Sequence, residues 1–162
     1  MVVVADTSPI RYLLLIGLIQ LLPELFGDII VPPAVWLELR NPSAPEAVRR
    51  FMSSPPDWIH QKSLIAEPRA ILTVLDAGER EALELALQLQ ARLVLIDESE
   101  GRQAALRVKL EVRGTIGILI EAAVARKIDL TEALDKLART SFYITPVLRD
   151  FAIQSALRKG TP

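Results

Sequence analysis

The sequence contains no cysteine and only one histidine, His60. Disulfide frameworks, thiolate metal sites and multi-histidine zinc centres are therefore excluded. A catalytic centre dense in histidine is excluded with them, so any catalysis must run on carboxylates, hydroxyls, Lys or Arg. Lack of cysteine fits a reducing compartment, and cytoplasmic localisation is the expectation. Aromatics are scarce as well, with two Trp, two Tyr and four Phe, so the core must be built from Leu, Ile, Val and Ala. Neither sign of charge dominates: 19 Lys and Arg against 20 Asp and Glu leave a net charge of −1. That balance speaks against a broad, non-specific grip on nucleic acid but leaves room for a local basic rim. No GxGxxG or GxxxxGK[ST] loop occurs, which counts against a phosphate-loop nucleotide-binding or receiver-like domain. The longest apolar run, residues 12–22, is broken at Gly17 and Gln20 and stops at Pro23. It is too short to span a bilayer and lacks the basic leader of a signal peptide, so it reads as a buried helix and no membrane partner is expected.

What is present is an alternation of short apolar strands with helices. Its 162 residues suit one domain, expected over residues 1–157 with a short C-terminal tail at 158–162. Runs at 2–5, 28–31 and 93–96 read as buried strands, and 57–62 and 112–115 as shorter ones. Helices are expected at 9–22, 34–40, 45–52, 79–91, 100–109, 118–127, 131–139 and 146–157, with a further one at 70–75. This pattern predicts an α/β fold with helices on both faces of a mostly parallel sheet, without repeats or linkers.

The chemistry concentrates in acids. Two expected strands end in one: Asp6 after 2–5 and Asp97 after 93–96. Ligands of open parallel sheets bind beyond the carboxyl ends of the strands. An aspartate there can also be a helix cap, but two facing one crevice repel each other unless a cation separates them. Glu38 lies in the apolar stretch Val35-Trp36-Leu37-Glu38-Leu39, with little polar face to occupy. Glu79 continues the apolar stripe of Ala82, Leu83, Ala86 and Leu87, so it points inward, although a first-turn glutamate also complements a helix dipole. Glu81, Glu84 and Gln88 form the stripe expected to face solvent. Converging carboxylates without His or Cys are the ligand set of Mg²⁺ or Mn²⁺, ions that activate water for phosphoryl chemistry.

The order Val3-Val4-Ala5-Asp6-Thr7-Ser8-Pro9, Val31-Pro32…Glu38-Leu39, Gly78-Glu79…Glu81-Ala82, Leu95-Ile96-Asp97…Gly101-Arg102 and Gly114-Thr115-Ile116-Gly117 resembles the PIN domain. It is most similar to small prokaryotic PIN-like proteins, over roughly residues 2–151. The resemblance implies a three-layer α/β/α PIN-like fold and a metal-dependent ribonuclease, often the toxin of a toxin–antitoxin pair. It implies that Asp6, Glu38, Glu79 and Asp97 are metal ligands and catalytic residues, Glu79 standing where the family often has Asp. A hydroxyl near the first acid recurs, offered here by Thr7 or Ser8, with Ser8 favoured. Glu98 and Glu100 are accessory acids, though Glu100 equally suits the first turn of its helix. Arg102 reads as an internal ion pair or a phosphate contact, Thr115 as a site hydrogen bond or a turn residue, and Arg11 as a substrate-side candidate. His60 is expected on a strand surface and Trp36 in the core. The implied partners are RNA, a small antitoxin protein and a second copy in a homodimer. The alternative is a PIN-fold module that binds RNA or protein without appreciable cleavage.

Overall fold

The computed structural model describes residues 1–69 and 72–160. Five short strands form the sheet: β1 (Val3–Ala5), β2 (Ile29–Val31), β3 (Ile59–Gln61), β4 (Leu93–Leu95) and β5 (Glu111–Arg113). Their order is β3-β2-β1-β4-β5, and every neighbouring pair is parallel. The register sets Val3 against both Ile29 and Leu93, so β1 is the central strand. From β1 the chain first builds outward on one side, then returns to build on the other. The gap between β1 and β4 is thus the point where the strand order reverses, which in such sheets opens a crevice at the carboxyl ends.

Side chains of a strand alternate between faces, and the core splits accordingly. Val3, Ala5, Ile29, Val31, Leu93 and Leu95 enter one apolar cluster. Helices α1 (Thr7–Leu15), α2 (Leu21–Phe26), α4 (Glu46–Ser53), α7 (Thr115–Val124) and α8 (Leu130–Ala138) contribute to that cluster. Val4, Ile30, Val94 and Ile96 enter the other, under α5 (Ala77–Gln88) and α6 (Ser99–Arg107). Helix α3 (Pro33–Leu39) packs on α5, and α9 (Pro146–Gly160) packs on α7. The result is the expected three-layer α/β/α arrangement, its sheet entirely parallel.

Several boundaries differ from the sequence reading for identifiable reasons. The helix expected over 9–22 is two helices, because Gly17 takes φ of +73°. The N–H of Gly17 reaches Leu14 O and that of Leu18 reaches Leu13 O, a Schellman stop that turns the chain out of α1. Helix α5 begins at Ala77, in residues read as a turn, because Asp76 caps it. Helix α8 is capped by Asp129, whose carboxylate accepts the N–H of Glu132. Helix α9 continues to Gly160 rather than ending at Leu157. Of the helix expected at 70–75, residues 70 and 71 lie outside the described residues, as do 161 and 162 of the expected tail; residues 73 and 74 form a turn and Leu75 a bend. His60 is exposed on β3, with Asp28 3.7 Å away. Trp36 is partly buried against the core.

The stripe of Glu81, Glu84 and Gln88 does not face solvent. Glu84 is buried, accepting the Arg69 N–H at 3.1 Å and a Gln88 amide N–H at 2.9 Å. Glu81 accepts the N–H of Ala34 at 2.8 Å, at the amino end of α3. The loop before α5 folds over this stripe, and its backbone N–H groups need acceptors once buried. Helical periodicity locates a polar face but not what covers it.

Candidate active site

Asp6 is the residue between β1 and α1, with extended backbone at the N-cap position. Its N–H donates to Leu95 O at 2.9 Å, fastening it to β4 across the reversal point. Its side chain is buried, and burial pushes its carboxyl up to about 7. The Thr7 backbone N–H opposes that shift, while Asp76, Glu79 and Glu38 add to it by repulsion. A carboxylate this disfavoured, with other acids around it, is an electrostatic demand for a cation.

Glu38 comes from the exposed flank of α3 and meets Asp6 over the first turn of α5. A Cβ added to Gly78 would lie 3.0 Å from both Asp6 Oδ1 and Glu38 Oε1. Glycine therefore leaves open a cradle between two carboxylates that any other residue would fill. The hydroxyl of Thr7 donates to Glu38 Oε2, so of the two hydroxyls considered it is Thr7 that holds an acid. Ser8 lines the same cleft.

Glu79 is buried, as the apolar stripe implied, and it is also a capping residue. Asp76 Oδ1 accepts the Glu79 N–H at 2.8 Å, and Glu79 Oε2 accepts the Asp76 N–H at a long 3.4 Å. This reciprocal box satisfies two free donors of the α5 amino end. Burial pushes the Glu79 carboxyl up to about 7, Asp76 adding to it, the bond to the Asp76 backbone opposing, and Glu98 and Glu100 adding more. Its other oxygen faces the start of α6, 3.1 Å from where a Gly101 Cβ would sit.

The cleft enclosed by Asp6, Glu38, Asp76, Glu79, Glu98 and Glu100 has a volume of about 550 Å³; Thr7, Ser8, Ser99 and Arg11 complete its walls. Asp76 was missed by the sequence reading. Its signal was present, since Asp-x-x-Glu before a helical run is the signature of a capping box.

Asp97 stands apart. Both its oxygens are occupied at 2.7 Å, by the backbone N–H and the hydroxyl of Thr115. Burial raises its pKa, the two Thr115 bonds and Arg102 oppose, and Glu98 adds. It fronts a different cleft, of about 360 Å³, together with Arg102, Phe142 and Phe151. Arg102 also reaches Ile96 O at 3.4 Å. The structure thus brings Asp6 together with Glu38, Asp76 and Glu79, while Asp97 and Thr115 form a neighbouring unit linked to them through Glu98. Among the described residues, no three acids stand in an arrangement that would hold a metal ion as they are. The donor chemistry nevertheless suits a hard divalent cation: oxygen only, negative, with an open cradle at Gly78.

The sheet is parallel throughout and carries acids at the carboxyl ends of its strands around the reversal point. Residues 2–158 match the family model DUF3368, described as a PIN domain. The chain belongs to the PIN-domain family. PIN domains are generally nucleases, act on nucleic acid and typically use divalent metals. No curated protein and no solved structure matches the chain. No helix among the described residues is long and apolar enough to cross a membrane.

Proposed function

We propose that this protein is a Mg²⁺- or Mn²⁺-dependent endoribonuclease that hydrolyses RNA phosphodiester bonds. The observation that carries the reading is the state of Asp6. It is buried at the sheet's reversal point, its ionisation is held back to about 7, and three further carboxylates repel it. An ionised Asp6 destabilises the metal-free fold, and a bound cation accounts for its place among these acids. Asp6, Glu38 and Glu79 would hold the cation, and Asp97 would join from its side by giving up a bond to Thr115. A divalent cation bound there supplies activation of the attacking water and neutralises charge on the leaving oxygen. Thr7 orients Glu38, Asp76 fixes Glu79 through the capping box, and Ser8 is placed to hold a substrate oxygen. Glu100 keeps the rim negative, and Arg102 tempers the charge of Asp97.

On this reading the protein acts in the cytoplasm as the toxin of a toxin–antitoxin pair, restrained by a small antitoxin, and forms a homodimer. Exposed apolar side chains such as Leu37, Leu106, Val147 and Phe151 suit protein contacts. A second reading, a binding module without cleavage, is favoured by the double engagement of Asp97 with Thr115.

Cleavage of RNA in Mn²⁺, compared among wild type, Asp6→Asn and Asp97→Asn, decides. The nuclease reading requires that wild type cuts and that both variants lose most of the activity. Identical behaviour of all three refutes it, whereas RNA binding without cutting by wild type selects the module.

A further inference from the structure

The acidic cleft has one cation in its walls among the described residues, Arg11. Its circumstances are unusual for an arginine beside carboxylates. Among the described residues it forms no ion pair, although Glu38 shares two clefts with it. Glu38 is instead engaged by the hydroxyl of Thr7. The Nε of Arg11 is buried without a hydrogen-bond partner. Leaving a charged donor buried and unpaired is costly, and most folds avoid it.

The guanidinium is nevertheless held in place. It lies 5.8 Å from the ring centroid of Tyr12, within range of a cation–π contact. Tyr12 is fixed in turn by a 3.0 Å hydrogen bond with Ser141 and an edge-on packing of Phe142, with centroids 5.0 Å apart. The terminal N–H groups of Arg11 also form no hydrogen bond or ion pair among the described residues, and they, rather than the enclosed Nε, are the donors an anion from outside would meet. Arg11 also marks a boundary. Beyond it the acidic cleft continues into a side cleft of about 250 Å³, which shares Thr7, Arg11 and Glu38 and is closed by Asn41, Ser43 and Pro45. Thr7 and Ser8 stand one helical turn before Arg11 and present their hydroxyls on the same face of α1.

We infer that Arg11 binds a backbone phosphate of single-stranded RNA, the one next to the phosphate that is cut, and leads the strand from the acidic cleft into the side cleft. The planar fork of arginine matches two phosphate oxygens, and beyond the reach of a bound cation such a contact offsets the repulsion of the surrounding acids on a polyanion. The inference rests on the ribonuclease reading, since it takes the cleft to be a substrate channel. It adds to that reading which residue touches the strand and on which side the strand leaves.

The test compares wild type, Arg11→Gln, Arg11→Lys and Tyr12→Leu. Fluorescence anisotropy follows binding of a labelled single-stranded RNA in Ca²⁺ across a KCl series, and cleavage is followed separately in Mn²⁺. Arg11→Gln should weaken binding about tenfold, the loss of one charge-assisted contact. It should also lower the slope of log affinity against log salt by about 0.7, one phosphate fewer on a single strand. Arg11→Lys should restore the slope but only part of the affinity, and Tyr12→Leu should lose affinity while keeping most of the slope. Melting curves and circular dichroism establish that each variant is folded. If wild type binds and cuts RNA but Arg11→Gln keeps its affinity and slope, the Arg11 assignment alone is overturned. If wild type neither binds nor cuts RNA, both readings are overturned.

Discussion

Replacing Asp6 with asparagine should make the metal-free protein more stable while removing its proposed activity. In the folded chain the Asp6 carboxyl is pushed up from 3.8 to about 7, chiefly by burial. Below about pH 4 both folded and unfolded chains carry the proton, and Asp6 costs nothing. Between about pH 4 and 7 the unfolded chain releases it and the folded chain does not, so stability falls as pH rises. Above about 7 both are ionised and the loss is complete. A shift of about three units corresponds to ~4 kcal/mol at ~1.4 kcal/mol per unit, an upper bound. Asparagine cannot ionise, but its amide accepts the Thr7 N–H less strongly than a carboxylate does. A net gain of about 2 kcal/mol at pH 8 is therefore expected, or about 4–8 °C in Tm for a chain of this size. At pH 4.5 the gain should fall to about a quarter of that. The measurement is thermal and urea unfolding of both proteins in EDTA at the two pH values, read as the difference of differences. Adding Mn²⁺ to about a hundredfold excess over its Kd should stabilise wild type alone, by ~2.7 kcal/mol if the site is intact. An Asp6→Asn effect that is the same at pH 8 and pH 4.5 would refute the reasoning, because burial of the charge and its repulsion by Asp76, Glu79 and Glu38 act only once Asp6 is ionised.

Two further outcomes follow from the same cleft. Mn²⁺ affinity should rise steeply as pH increases through about 7, since both Asp6 and Glu79 must release protons to bind it. Calorimetric titrations in buffers of different ionisation enthalpy, which count the protons released, should find release near pH 6.5 and almost none near pH 9. Gly78→Ala should raise the intrinsic preference of α5 for helix by about 0.5–1 kcal/mol while weakening Mn²⁺ binding. Its Cβ would meet the Asp6 and Glu38 oxygens at 3.0 Å, so both carboxylates must shift by a few tenths of an ångström and the space between them is filled. Unchanged Mn²⁺ affinity in this variant would show that the space above Gly78 is not where the cation sits.

Much of the architecture was legible because strand and helix periods are local properties of the chain. The apolar runs at Val3–Ala5 and Leu93–Leu95 needed both faces of a sheet covered, and the acids that end them had to lie at its carboxyl edge. Gly17 was visible as an interruption, but a single glycine inside an apolar run does not announce whether it is packed within a helix or ends one. The helix expected to start at 131 starts one residue earlier, because Asp129 accepts the N–H of Glu132, a cap that spacing alone did not single out.

The acids show the division more sharply. Periodicity alone directed Glu79 inward, and it is buried; the same periodicity directed Glu84 outward, and it is buried too, under a loop far from it in sequence. Cover supplied by a distant segment leaves no trace in local spacing. Composition and strand ends by themselves determined that this protein would place carboxylates, without thiol or clustered imidazole, at the carboxyl edge of a parallel sheet. Only the tertiary structure decided which acids stand together. Strand order placed the reversal point between β1 and β4, Asp76 entered through the cap of α5, and Thr115 at the start of α7 holds both oxygens of Asp97. Carboxylates repel at short range whatever their order in the chain, so their grouping is settled by the backbones that hold them.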